Sequence, residues 1–142
     1  MQRRILSLLV GIALVGVLAA TGAWAGSPHF VSCTLVSVSG TCVSVNAKEA
    51  GLGDEAQLSV ELTATAECIN PGEHHPKAAN KESVSASGTF NVSNGNATGS
   101  LTMTASLSPP CSPPMVICWT DLSITDTTFS DTKDIPGTFC PT

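Results

Sequence analysis

Arginine occurs only at positions 3 and 4, and tyrosine does not occur at all. Beyond residue 25 the chain carries four lysines against eleven acids, a net charge of −7. Nucleic-acid binding needs clusters of basic side chains to displace counterions from phosphate, so that class is set aside. Anionic membrane surfaces are disfavoured for the same reason. Aromatic side chains are also scarce: Trp119 and four phenylalanines are all that remain after residue 25. Binding faces rely on Trp, Tyr and Arg anchors, so a large aromatic groove is not expected. There is no Gly-x-Ser-x-Gly elbow and no His-Glu-x-x-His pair, which leaves the common hydrolase signatures empty. No helical hydrophobic period is found beyond the N-terminal segment, and no second long apolar run follows it.

That segment has the features of a secretory leader. Arg3 and Arg4 precede an apolar run from Ile5 to Ala20, and Ala23-Trp24-Ala25 has the small-x-small form of a cleavage site. The run of 16 residues is shorter than the roughly 20 that a membrane span requires. The expected organisation is a cleaved leader at 1–25 and a single domain at 26–142. Its product is expected to be secreted and extracellular, with no membrane association once the leader is removed.

All six cysteines, at 33, 42, 68, 111, 118 and 140, fall in the exported part. An even count in an exported chain predicts three disulfides. A free thiol nucleophile is then not expected.

The middle of the chain sets the fold class. From Ala56 to Cys68, seven apolar positions (Ala56, Leu58, Val60, Leu62, Ala64, Ala66, Cys68) alternate with six polar ones. A period of two is that of a strand with one dry face and one wet face. Phe30 to Val38 and Thr41 to Ala47 read as two earlier strands around a turn at Ser39-Gly40. Gly51 and Gly53 mark a tight connection. Val84 to Val92 and Ala97 to Leu107 alternate on either side of an Asn94-Gly95-Asn96 hairpin signal. Val116, Cys118, Leu122 and Ile124 share one parity, with Thr120 interrupting it. No period is evident from Thr127 onward. Six or seven strands separated by turns predict an all-β, antiparallel, immunoglobulin-like sandwich, with a small barrel as the alternative. If consecutive strands alternate in direction, Cys68 and Cys111 lie at the same end, which predicts a Cys68–Cys111 bridge. A two-residue turn at Ser39-Gly40 would set Cys42 opposite Ser37, so the pairing of Cys33, Cys42, Cys118 and Cys140 stays open.

Three blocks carry a resemblance: Lys48-Glu49-Ala50-Gly51-Leu52-Gly53, Cys68-Ile69-Asn70-Pro71-Gly72, and Cys111-Ser112-Pro113-Pro114-Met115. Together they resemble recurrent blocks of small, uncharacterised secreted bacterial proteins, over about residues 43–128. The resemblance implies export and a shared fold, and supports Cys68–Cys111. It implies that the other four cysteines are additions to the pattern. It brings no activity with it.

Four groups of residues are candidates for chemistry. Glu73, His74 and His75, with Glu67 and His29 further off, offer metal-ligand types at a spacing that matches no ligand pattern. A solvated loop fixed by Pro76 is the plainer reading, so no metal or other cofactor is expected. Asp121, Asp126, Asp131 and Asp134 are spaced unlike any calcium loop and read as surface charge. The proline-rich loop Cys111 to Cys118 could present Pro114, Met115 and Val116 as a rigid inhibitory segment, since rigidity lowers the ordering cost of binding. Asn91 and Asn96 fit the glycosylation pattern and flank the hairpin tip.

The expected function is non-enzymatic: an extracellular β-sandwich that binds an extracellular protein or surface ligand, or forms part of a surface or matrix. The favoured contact surface is the end carrying 69–82 and 108–115. The alternative is a serine-protease inhibitor acting through Met115.

Overall fold

The computed structural model describes residues 26–70 and 80–142. Seven strands follow one another: β1 (His29–Ser39), β2 (Cys42–Ala50), β3 (Gln57–Ile69), β4 (Lys81–Ser93), β5 (Asn96–Thr104), β6 (Val116–Asp126) and β7 (Asp131–Ile135). All pairings are antiparallel, in the order β1-β2-β5-β4-β3-β6-β7. Adjacent strands in a sheet twist relative to one another, and here the seven curl far enough to bring β1 and β7 into contact. The shape is nearly a barrel rather than two cleanly separate layers.

The curl has a narrow joint. β4 pairs with β3 along almost its whole length, from Lys81 to Asn91. It meets β5 only through Val92↔Ala97 and Ser93↔Asn96. The joint is a two-residue hairpin in which Asn94 and Gly95 both take positive φ, 51° and 70°. That is the backbone form whose twist matches the strands on either side.

The alternating residues close the core between the two halves. From one side come Val43, Val45 and Ala47 of β2, with Ala97, Leu101 and Met103 of β5. From the other come Leu58, Val60, Leu62, Ala64 and Ala66 of β3, Phe90 of β4, and Trp119, Leu122 and Ile124 of β6. Close packing extends to the glycines: a Cβ on Gly99 would run into the ring of Phe90.

Three expectations are corrected. The parity of β6 is not continuous. Thr63 and Thr65 of β3 face Ser123 and Thr120, so β6 holds one extra residue there. The bulge falls at Asp121, whose φ is 53°. An inserted residue flips the faces: Ile117 and Trp119 share the core face before it, and Leu122 and Ile124 after it. Thr120 seemed to interrupt the pattern because the pattern changes phase there. Second, the first turn lies at Gly40-Thr41, one residue later than expected, and sets Cys42 opposite Ser39. Third, there are two disulfides and two free thiols rather than three disulfides. Cys68 is bonded to Cys111 and Cys118 to Cys140. Cys33 faces Ala47 while Cys42 faces Ser39. At ~3.4 Å per residue the two lie roughly 17–20 Å apart along the hairpin. A bridge needs Cα atoms within about 7 Å.

The tail, which has no readable period, forms β7 and then returns to β6. The amides and carbonyls of Trp119 and Phe139 bond reciprocally at 2.8 and 2.9 Å, next to the Cys118–Cys140 bridge.

Candidate functional site

The polar parity of β3, β4 and β6 builds an outer face of hydroxyls and acids. Thr63 and Thr65 lie opposite Ser85 and Ser83 of β4. Together with Ala64, Val84 and Asp121 they line a groove of about 320 Å³. Around the other side of Asp121, Thr120, Leu122, Asp134, Ile135, Pro136, Gly137 and Thr138 line a second groove of about 620 Å³. Asp121 borders both, and its left-handed backbone at the bulge is a conformation that a non-glycine residue holds at a cost. Asp134, in β7, adds a second exposed carboxylate.

Beside this face lies Glu67, which is buried although it belongs to the polar parity. Thr120 Oγ1 donates to its Oε1 at 2.8 Å, and Lys81 Nζ sits 3.3 Å from the same oxygen. Thr120 also reaches Asp121 Oδ2, at 3.4 Å. The chain Lys81–Glu67–Thr120–Asp121 therefore ties the rim of the grooves to β3 and β4.

Glu73, His74 and His75 fall outside the described residues, as does most of the 69–82 segment. Among the described residues no three His, Cys, Asp or Glu side chains converge in a way that could hold a metal ion. His29 lies at the start of β1, with its ring nitrogen 2.7 Å from the Ser27 carbonyl.

The loop from 108 to 115 is stapled to the end of β3 by Cys68–Cys111. Ser112, Pro113 and Pro114 are exposed, whereas Met115 is half-buried and its amide bonds back to Ser112 O at 3.0 Å. Val116 is already in the ladder, opposite Ile69. The Met115–Val116 bond thus lies at a strand start and has little freedom to extend into a protease cleft.

The four aspartates do not act as one group. Asp121 and Asp134 are exposed and Asp131 is half-buried, but Asp126 is wholly buried, which corrects its reading as surface charge. Glu49, missed in the sequence, is buried as well, at 1 % exposure. Both extend a core parity by one step: Val43, Val45, Ala47, then Glu49; Leu122, Ile124, then Asp126. That continuation was the available signal. Burial first, and then the neighbouring Asp126 and Asp131 carboxylates, push the Glu49 carboxyl up to about 8.

The free thiols differ. Cys33 is pushed up to about 11, mainly by burial, with the Lys133 ammonium pulling the other way. Cys42 is lowered by hydrogen bonds from the Thr104 and Thr41 hydroxyls. Asn91 accepts from Gln57 Nε2 at 3.2 Å and Asn96 donates to Asn94 O at 2.9 Å, both on the surface near the hairpin tip.

Two disulfides fit an oxidising, extracellular type of environment. No helix among the described residues is long and apolar enough to cross a membrane. No protein-family model matches the chain. A search of curated proteins finds no significant match either.

Proposed function

We propose that the protein is a secreted, non-enzymatic binding module whose contact surface is the acid-and-hydroxyl face around Asp121. The observation that carries this reading is that Asp121 borders two adjoining grooves from a strained bulge position. The core residues of both halves pack against one another, so a ligand has its room on the outside. The scaffold works as an immunoglobulin-like sandwich does, holding a surface rigid so that little ordering is left to do on binding.

The chemistry of the face favours a cationic, hydrogen-bonding partner, such as a basic segment of an extracellular protein. Asp121 and Asp134 supply charge, and Thr63, Thr65, Ser83 and Thr138 supply hydroxyls. The excess of acids over bases steers such a partner in, and the attraction weakens as salt rises.

The test is a binding titration with a fluorescent oligolysine peptide and a neutral peptide of equal length, at low and high salt. The expected result is salt-sensitive binding of the basic peptide that falls at least fivefold in the double variant Asp121→Asn/Asp134→Asn. Equal binding by the wild type and the double variant would remove the face as the site. A panel of serine proteases run alongside separates the inhibitor reading, for which any inhibition should disappear with Met115→Gly.

A further inference from the structure

Glu49 and Asp126 meet inside the fold, near the place where β1 and β7 approach each other. Glu49 lies on the core face of β2, opposite Phe30 of β1 and Ala97 of β5. Asp126 ends β6, opposite Val60 of β3 and Asp131 of β7. The two are 1 % and 0 % exposed, and their side chains are within hydrogen-bonding reach of each other.

The hydrogen-bond inventory leaves a gap of one proton. Asp126 Oδ1 accepts the amides of Thr128 and Phe129, at 2.7 and 3.2 Å. Asp126 Oδ2 has no donor, and neither Glu49 oxygen has one. Two ionised carboxylates cannot satisfy each other, because both only accept, and a buried polar group without a partner is costly. One added proton pairs two of these three oxygens and leaves the other Glu49 oxygen as a neutral carbonyl, which is less costly to bury than a carboxylate. Carried on Glu49, it makes that residue a donor to the vacant Oδ2, while the two amides stay on Oδ1. A divalent ion would need more ligands than converge here among the described residues.

The surroundings reinforce the choice. Asp131, on β7, turns one oxygen to the Phe30 amide of β1 at 3.1 Å, the hydrogen bond that ties the two edge strands. Its charge also disfavours a second negative charge on Glu49. From β1 the facing titratable group is Cys33, and from β7 it is also Lys133, whose ammonium is felt at Cys33. β5 contributes none, presenting Ala97, and β3 presents Val60.

We propose that Glu49 is held as a neutral acid donating its proton to Asp126, and that this shared proton latches the β1/β7 seam, which loosens when the proton is withdrawn. The sign follows from linkage. The folded state holds a proton that the unfolded chain releases near the ordinary carboxylate value of 4.5. Stability therefore falls as pH rises through the window up to about 8, and the loss levels off above it. One proton changes the folding equilibrium constant by up to about tenfold per pH unit.

The test is urea unfolding of the purified protein followed by Trp119 fluorescence, from pH 4.5 to 8.5. In the wild type the folding constant should drop about fivefold to tenfold per unit between pH 5.5 and 7.5. In Glu49→Gln, which donates without titrating, that drop should be absent. Parallel pH profiles for the two proteins would overturn the proposal. Carboxyl carbon NMR of the wild type provides a second reading that survives a variant that fails to fold. Glu49 titrating above pH 7 supports the latch, and titration in the ordinary carboxylate range sinks it. A tenfold or larger rise in wild-type stability on adding calcium at pH 8, absent in Glu49→Gln, would assign the pair to a cation instead and overturn the proton latch.

Discussion

Cys33 and Cys42 share a hairpin yet live in different chemical surroundings. Cys33 shares the core parity of β1, where burial disfavours its thiolate. Cys42 lies at the turn between two threonine hydroxyls, 3.4 Å from Thr104 and 3.7 Å from Thr41, which favour the thiolate. Since the thiolate is the reacting species, iodoacetamide should label native protein at Cys42 at least tenfold faster than at Cys33. Peptide mass mapping after a timed quench checks this, and equal rates would contradict the burial of Cys33. These single positions were the least legible in the sequence. An even cysteine count pointed to three bridges, but a count does not show that Cys33 and Cys42 lie far apart on one hairpin, with either placement of its turn. Glu49 and Asp126 were hidden for a related reason. Their charge argued for the surface, while only their parity argued for the core, and parity is persuasive only when neighbouring strands are known to cover that face.

At the scale of the element, β3 was readable almost to its ends because every second residue from Leu58 to Cys68 is buried. It pairs on both sides, with β4 and β6, so its buried row meets side chains from the whole core. Leu62 is fully buried, whereas Thr63, on the wet face, is only half-buried. Leu62→Lys should therefore abolish the yield of folded protein, since an unpaired charge in the core costs several kcal/mol, of the order of the whole stability of a small domain. Thr63→Lys should be recovered folded at near wild-type levels. Equal yields would mean that the two faces have been exchanged. The β4–β5 hairpin was legible for a local reason: Asn94-Gly95 suits the twist of a two-residue turn. The β6 bulge was not, because it needs no special residue type; Asp121 simply adopts the left-handed form there. With it went sight of the two grooves, which exist only once β6 changes phase beside β7.

At the scale of the molecule, the all-β antiparallel class and six of the seven strands came through from alternation, while β7 lay in a tail without a period. The closure did not, because curl is set by accumulated twist and by one narrow joint rather than by any motif. The covalent ties add a further layer. Cys68–Cys111 spans 43 residues and Cys118–Cys140 spans 22. In the chain-entropy account such loops are worth about 4 and about 3 kcal/mol. Paired Cys→Ala replacement at either bridge should lower the free energy of unfolding in urea by roughly those amounts, the longer loop costing more. A larger loss at the shorter loop would show that native packing around the tail, rather than chain entropy, sets the balance.

Both bridges fasten β3, β6 and the chain that runs between β5 and β6 or past β7, and neither touches β1 or β2. The first hairpin is held without a covalent tie, by pairing, packing and hydrogen bonds such as those of Phe30 to Asp131 and Ser44 to Thr102. Warming or partial denaturant should thus peel the N-terminal ribbon away while the cross-linked remainder keeps its form, uncovering the row of Val43, Val45 and Ala47. Two such molecules, each with its ribbon adrift, would have matching vacancies to fill, and exchange of that ribbon between copies is the route to association that this uneven reinforcement leaves open.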